Sequence, residues 1–425
     1  MKIQQQIDRI KKSEDGKVLA KNAMYLTILQ FIIYLCPLIT TPYLARVIGT
    51  DGFGKLAFAL AIMVWIQTIA DWGFNYTATR DVAKNRENKA YVSHVFSTVF
   101  WGRWILTALS FLVLVVLMMV VPKFQTHAVI LLFSFIMIPG HILFPDWFFQ
   151  ALERMEFITI MNVIIRLVFT VAIFIFIRQP EDYIYQPLIM SMGYVLCGIL
   201  SMYIIVRKWK IRVVPVPIRE IMQYISNSTN IFINNLMPNL YNSFSYVLLN
   251  FASTDAYTGI YNAGRKLPDL ANSMLSVIGR VFFPYLNRKS NNHRLYAYFS
   301  IGLSVLAALV LIAVARPLTV LFFGQAFEEA YIVLRICAVA IVFNTMNTVY
   351  GVNYLIINGK DALLRNMTIV SSLIGFALAF PLVKYFDYIG ISVSYLTANI
   401  LMGVLPMVCA IQIEKKKKIY GDINH

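Results

Sequence analysis

The chain has 425 residues, 59% of them hydrophobic and only 14% charged, and its mean hydropathy is +0.67. A soluble domain carries about 25% charged residues, so a soluble globule is excluded and an all-α polytopic membrane protein is expected. The net charge of +16 would suit nucleic acid, but its distribution along the chain fits a membrane instead and excludes a nucleic-acid partner.

Residues 1–21 are polar and charged, without the short apolar core and small-residue cleavage site of a removable signal peptide. They read as a cytoplasmic segment before a first span that is expected to stay in the mature protein. Apolar runs long enough to cross a bilayer core of about 30 Å then give about twelve spans. Six lie in residues 22–206: Asn22–Arg46, Gly54–Ala78, Val95–Val121, Ala128–Phe149, Phe157–Ile177 and Ile184–Val206. A basic cytoplasmic linker follows at 207–223, with Pro215 and Pro217. Six more lie in 224–413: Tyr224–Asn250, Tyr257–Tyr285, Tyr296–Phe322, Ala330–Ile357, Leu363–Tyr385 and Ile389–Ile413, before a cytoplasmic tail at 414–425. Lys and Arg crowd alternate loops, from Lys2 to Lys21, Arg80 to Lys89, Arg207 to Arg219 and Lys415 to Lys418, whereas the opposite loops hold Asp51, Glu181, Asp182, Asp255, Glu328, Glu329 and Asp387. The positive-inside rule therefore puts both termini in the cytoplasm.

The halves are near-equal in length, and the turn Gly49-Thr50-Asp51-Gly52-Phe53-Gly54 finds a counterpart in Ser253-Thr254-Asp255-Ala256-Tyr257-Thr258 at the equivalent place in the second half. An even number of spans per half keeps both in one orientation, so two six-helix bundles are expected as parallel repeats around a central cavity.

Polar residues recur at helical spacing inside several spans. Thr27, Gln30, Tyr34 and Thr41 form a stripe on the first span, beside Pro37 and Pro42. Gln67, Asp71 and Asn75 share a face of the second, where Asp71 lies near the cytoplasmic end with Arg80 or Arg103 as ready ion-pair partners. Thr159, Asn162 and Arg166 share a face of the fifth. The seventh carries Asn227, Asn230, Asn234, Tyr241 and Ser245 at offsets that keep one face, interrupted by Pro238. The eighth holds Arg265, Lys266 and Asp269 around Pro268, and the tenth Asn347, Tyr350 and Tyr354. Each proline frees a backbone carbonyl four residues earlier, which makes Pro37, Pro238 and Pro268 hinge candidates, with a static kink as the plain alternative.

Counted from an entry near Tyr257, Arg265 lies roughly 12 Å and Asp269 roughly 18 Å into the bilayer. A central charge there costs about 2.5 to 3.5 kcal/mol on insertion scales. One carboxylate can neutralise one of two cations, which leaves a positive charge near the midplane. It is either a structural ion pair with the extra lysine reaching water or an anion-binding floor, with Arg166 as its counterpart in the first half. Cations ringed by amides and hydroxyls suit a ligand with an anionic group and many hydroxyls, in which Arg265, Lys266 and Arg166 would take a diphosphate or acidic sugar. Asn227, Asn230, Asn234, Tyr241, Gln30 and Tyr34 are the sugar-contact candidates, and Asp269 and Asp71 the charge-partner or coupling candidates.

Enzyme and metal signatures are absent. The sequence has no P-loop, HExxH or GxSxG, its five histidines are scattered, and Cys36, Cys197, Cys337 and Cys409 each sit alone inside a span as packing residues. Ala70-Asp71-Trp72-Gly73-Phe74-Asn75 with Thr79-Arg80-Asp81, Pro145-Asp146-Trp147-Phe148-Phe149-Gln150 and Gly351-Val352-Asn353-Tyr354 resemble bacterial O-antigen repeat-unit flippases of the multidrug/oligosaccharidyl-lipid/polysaccharide exporter superfamily. The resemblance runs through essentially the whole chain. It implies two six-helix bundles facing a cavity in the bacterial inner membrane, and alternating access that moves an undecaprenyl-diphosphate-linked oligosaccharide between leaflets. It also implies coupling to a proton or sodium gradient, no bound cofactor, and work alongside other polysaccharide assembly proteins. A multidrug exporter of the same architecture and a membrane glycan polymerase remain as alternatives; the short outer loops leave a polymerase little room for catalytic groups.

Overall fold

The computed structural model describes residues 14–288 and 293–423, all helical or irregular with no strand among them; the expected end segments 1–21 and 414–425 fall partly outside that range. Eight helical stretches among the described residues are apolar and long enough to cross a bilayer. Two of them are double. Ile32–Lys84 spans 53 residues and contains the end of helix α1 (Glu14–Asp71), which is interrupted at Gly49, φ 68, at the turn expected between the first two spans. Asp361–Glu414 spans 54 residues and belongs to α16 (Asp361–Ile423), which breaks at Asp387. There the chain doubles back, since Ser394 Oγ donates to the Gly375 carbonyl at 2.6 Å. The seventh and eighth spans are absent from the eight: the seventh is split, its apolar piece Ser243–Ala252 being too short, and asparagines and charges lower the hydropathy of the rest.

The intervening helices are α2 (Phe74–Lys84), α3 (Lys89–Val120), α4 (Pro122–Thr126), α5 (Ala128–Phe135), α6 (Met137–Leu143), α7 (Asp146–Ala151), α8 (Met155–Phe176), α9 (Tyr185–Tyr203), α10 (Ile218–Leu236), α11 (Ser243–Ala252), α12 (Asp255–Arg288), α13 (His293–Ala313), α14 (Ala315–Phe323) and α15 (Ala330–Met346), the last continued by a π-helix at Asn347–Ile356. Several expected spans are less regular than hydropathy implies. The second ends at Asp71, where Trp72 and Gly73 take positive φ and α2 begins. The fourth is cut near Ile136 and again before Asp146, after Pro145. The seventh is two helices, α10 and α11, separated by a 3-10 turn at Met237–Leu240. Pro238 lies in that turn, where it has no N–H to give and its ring excludes the Asn234 carbonyl from the helix.

The chain parts into two compact units, Met1–Val47 with Met63–Asn235 and Ile48–Ile62 with Leu236–His425. Thus α10 belongs to the first unit and α11 to the second, and the division falls beside Pro238 rather than within 207–223.

The first unit is organised on an aromatic core. Trp147, Phe148 and Phe149 are fully buried; Phe148 meets Phe96 at 4.8 Å and Phe149 meets Trp209 at 5.5 Å between ring centres. The linker is part of this packing rather than a loose tether. Val214 N–H donates to Ser97 Oγ at 2.9 Å, Arg212 N–H to Ser93 Oγ at 3.2 Å, and Trp101 Nε1 to the Val214 carbonyl at 3.0 Å, which lays residues 212–214 along α3. In the second unit, Phe53 sits 5.6 Å from Phe327 and 6.4 Å from Phe323, so the stretch 48–62 packs on α14 and the turn after it.

Candidate substrate site

In the second unit α12 turns one face, Arg265, Asp269, Asn272, Ser273 and Ser276, toward a cleft of about 430 Å3. These offsets of four, three, one and three are the spacing of one helical side. The opposite wall comes from the junction of α15 and the π-helix, with Asn344, Asn347 and Thr348, and from Tyr296 and Ser300 of α13.

Arg265 is 5% exposed. Its guanidinium donates to Asp269 Oδ1 at 3.0 Å, to Asn242 Oδ1 at 3.3 Å and to the Tyr261 hydroxyl at 3.3 Å. Three tyrosine rings surround it, with Tyr395 at 3.9 Å, Tyr261 at 5.8 Å and Tyr246 at 5.9 Å. Each desolvated cation–π contact is worth roughly 0.5 to 2 kcal/mol, so the cage together is of the same order as the insertion cost of the charge. The Asp269 side chain is 44% exposed, and an ion pair open to water adds little. The tyrosines therefore hold Arg265 in place, while the carboxylate is its exchangeable partner.

The remaining candidates are spread over both units. Lys266 is exposed on the neighbouring side of α12 and does not line the cleft. Pro268 is buried within helical backbone, as Pro37 lies within α1; of the three proline candidates, Pro238 coincides with a break. Tyr241 is 5% exposed, and its hydroxyl donates to Met402 Sδ at 3.1 Å. Arg166 lies in the first unit on α8, partly buried, with Nε unpartnered. Gln30 and Tyr34 are half-buried in α1 of that unit.

Asn227, Asn230 and Asn234 stand exposed on α10, and the packing of the other side explains why. Phe232 stacks on Trp72 at 4.0 Å, Ser228 hydrogen-bonds Thr77 at 2.9 Å, and the Tyr224 hydroxyl donates to Asp81 at 2.9 Å. Gly73 is needed in this contact, because a Cβ there would lie 2.9 Å from the Ile231 Cβ. The Asp71-to-Asp81 motif thus docks α10. Asp71 itself pairs with Arg103 at 2.6 Å, and Arg103, 4% exposed, also donates to Asn75 Oδ1 at 2.7 Å. Of the partners offered by the sequence, Arg103 is the one Asp71 takes.

The sequence reading passed over Tyr246, Tyr395, Asn272, Asn344 and Ser300. Asn272 had a signal, as it continues the Arg265–Asp269 face; the tyrosines come from other helices and had none.

A search of solved structures finds this architecture in the lipid II flippase MurJ in an inward closed conformation, with TM-score 0.68 at 12% identity over 92% of this chain and 87% of that one. An outward-facing multidrug resistance transporter of the MATE family aligns with TM-score 0.59 at 13% identity over 96% and 98% of the two chains. The chain accordingly shares the multi-pass helical fold of both. The family model described as polysaccharide biosynthesis protein matches residues 19–290, and the chain belongs to that family. A protein of Escherichia coli (strain K12), named as a candidate O-antigen transporter, is 26% identical over 396 residues, 91% of this chain and 95% of its own length. These relatives bear the names of transporters.

Proposed function

We propose that the protein is a flippase that moves an undecaprenyl-diphosphate-linked O-antigen, or a related surface-polysaccharide repeat unit, across the bacterial inner membrane by alternating access. The observation that carries this reading is Arg265, a cation fixed by tyrosines at the head of a cleft walled mostly by amides and hydroxyls. Phosphate oxygens take the place of Asp269 on the guanidinium, which can hold them in a bidentate way. Lys266, exposed one position along α12 and outside the cleft, adds positive charge beside that head group. The exposed asparagines of α10 meet sugars, as do Gln30 and Tyr34, while lipid tails stay in the bilayer. Family membership and the O-antigen transporter name of the relative support this substrate class. Both termini lie in the cytoplasm, and a proton or sodium gradient drives the cycle through Asp269 or Asp71.

Mass spectrometry of lipid co-purified with the protein tests the reading, with a prenyl-diphosphate glycan as the expected species. Recovery of ordinary phospholipid alone, together with dye sensitivity and normal surface glycan in a deletion strain, would favour a multidrug exporter of the same fold.

A further inference from the structure

Asn242 stands at the head of α11, just after the turn that breaks the seventh span. Its backbone N–H donates to the Pro238 carbonyl at 3.1 Å, which ties it to that turn. Asparagine is favoured at the head of a helix because its side-chain oxygen accepts from a first-turn N–H. Asn242 makes no such bond. Its Oδ1 accepts instead from Arg265 at 3.3 Å, and because a guanidinium only donates, the amide must present its oxygen there.

The donors of Arg265 are shared out unequally. One nitrogen, Nη2, serves both Asn242 and Asp269, while Nη1 serves the Tyr261 hydroxyl and Nε is buried without a partner. Nη2 carries two hydrogens, so a ligand oxygen can displace Asp269, whose side chain is 44% exposed, without breaking the bond to Asn242. Tyr261 and Asp269 lie on α12 itself, one turn to either side of Arg265. Among the described residues, Asn242 is the hydrogen-bond acceptor that reaches this arginine from another helix. The tyrosine cage cannot do the same work, because a ring face attracts a cation whichever way its N–H groups point. Asn242 is also neutral, so it holds the guanidinium without cancelling the charge that an anion needs.

We infer that Asn242 is a positioning residue, which aims the Arg265 guanidinium so that the N–H now facing Asp269 is presented to a phosphate oxygen. The turn at Pro238 sets where Asn242 stands. The inference rests on the flippase reading, in which Arg265 takes the diphosphate, and adds how that arginine is aimed. An acceptor that served only to satisfy a buried donor could be exchanged for a carboxylate without loss, since a charge-assisted bond is the stronger one. A positioning amide cannot. A carboxylate in its place would leave Arg265 no net charge for an incoming anion once Asp269 is displaced.

Binding of farnesyl diphosphate to the full-length protein in detergent, followed by isothermal titration calorimetry beside thermal melting of the same variants, tests it. Asn242→Ala is expected to bind about tenfold more weakly, as the loss of one hydrogen bond to a charged group implies. Asn242→Asp, nearly identical in shape, is expected to melt no lower than the parent and yet to show no binding. If Asn242→Ala does not fold, Asn242→Leu, of similar shape without an acceptor, is read in its place. Binding that only followed melting temperature, weakest in Asn242→Ala and parental in Asn242→Asp, overturns the inference, as does parental affinity in Asn242→Ala. The two ideas fail separately. A parent that does not bind the probe, or binds it no better than Arg265→Ala, defeats the diphosphate anchor and the inference with it, whereas binding lost in Arg265→Ala but kept in Asn242→Asp defeats the role of Asn242 alone.

Discussion

The guanidinium of Arg265 lies 3.9 Å from the ring centre of Tyr395, a contact between α12 and the last helical segment of the chain that fixes a buried cation without a second carboxylate. Tyr395→Phe keeps the aromatic face and is expected to leave thermal stability in detergent within about 0.5 kcal/mol of the parent. Tyr395→Leu removes the face and is expected to cost about 1 to 2 kcal/mol, read as a lower melting temperature and less surface glycan.

Arg265→Ala with Lys266→Ala is expected to abolish surface glycan while protein abundance stays normal. Arg265→Lys is expected to fail as well, because an ammonium can neither fork onto phosphate oxygens nor stack flat on Tyr395. Immunoblotting for the protein and gel analysis of the glycan read the two quantities separately, and full glycan display in the double variant would remove Arg265 and Lys266 as the anchor.

The repeat legible in the sequence meets itself in the structure. A Cβ at Gly54 would strike the Asp255 carbonyl and come within 2.9 Å of the Gly259 nitrogen, and one at Gly259 would strike the Thr50 carbonyl. Backbones in such contact leave no room for a side chain, and overpacking typically costs about 1 to 3 kcal/mol. Gly54→Val and Gly259→Val are each expected to lower the melting temperature and transport, with Gly→Ala milder at both positions. Wild-type melting of Gly54→Val would show that the crossing is not this close in the membrane.

Sequence alone disclosed what depends on local spacing and missed what depends on distant partners. Arg265 and Asp269, four apart on one helix, were legible as a pair, and Asp71 had Arg103 among its two candidates. Tyr246 and Tyr395 could not be assigned to Arg265, because nothing in a single chain records which helices face one another. The seventh span reads as one apolar run because hydropathy is blind to a break, and Pro238 is the residue that marks where α10 ends. The Trp147-Phe148-Phe149 motif read as a family signature, and packing explains its composition: three large rings fill the core of the first unit.

Outside the membrane, Glu153 pairs with Arg86 at 2.8 Å. The hydrogen bond from Arg86 holds the Glu153 carboxyl below its ordinary value of 4.5. Because the folded value is depressed, the pair stabilises the fold above 4.5, and the contribution is lost as pH falls through the folded value. Both side chains are exposed, at 40% and 51%, so the effect is below about 1 kcal/mol. Arg86→Ala is expected to lower the melting temperature slightly at pH 7 and to match the parent in strong acid; an equal difference at both pH values would mean that the pair is not its source.

Asp71 and Arg103 carry two readings that substitution can separate. The pair spans 2.6 Å with the arginine 5% exposed at its side chain, and removing one partner of a buried pair typically costs about 3 to 5 kcal/mol, whereas replacing both is far milder. If Asp71 is structural, Asp71→Asn loses protein abundance, and Asp71→Asn with Arg103→Gln restores both abundance and surface glycan. If Asp71 couples transport to an ion gradient, the double variant regains abundance but not glycan, since the amide cannot release a proton or balance a cation. Abundance and glycan measured side by side in the two strains decide between them, and the docking of α10 through Tyr224, Ser228 and Phe232 gives a structural reason to expect the first outcome.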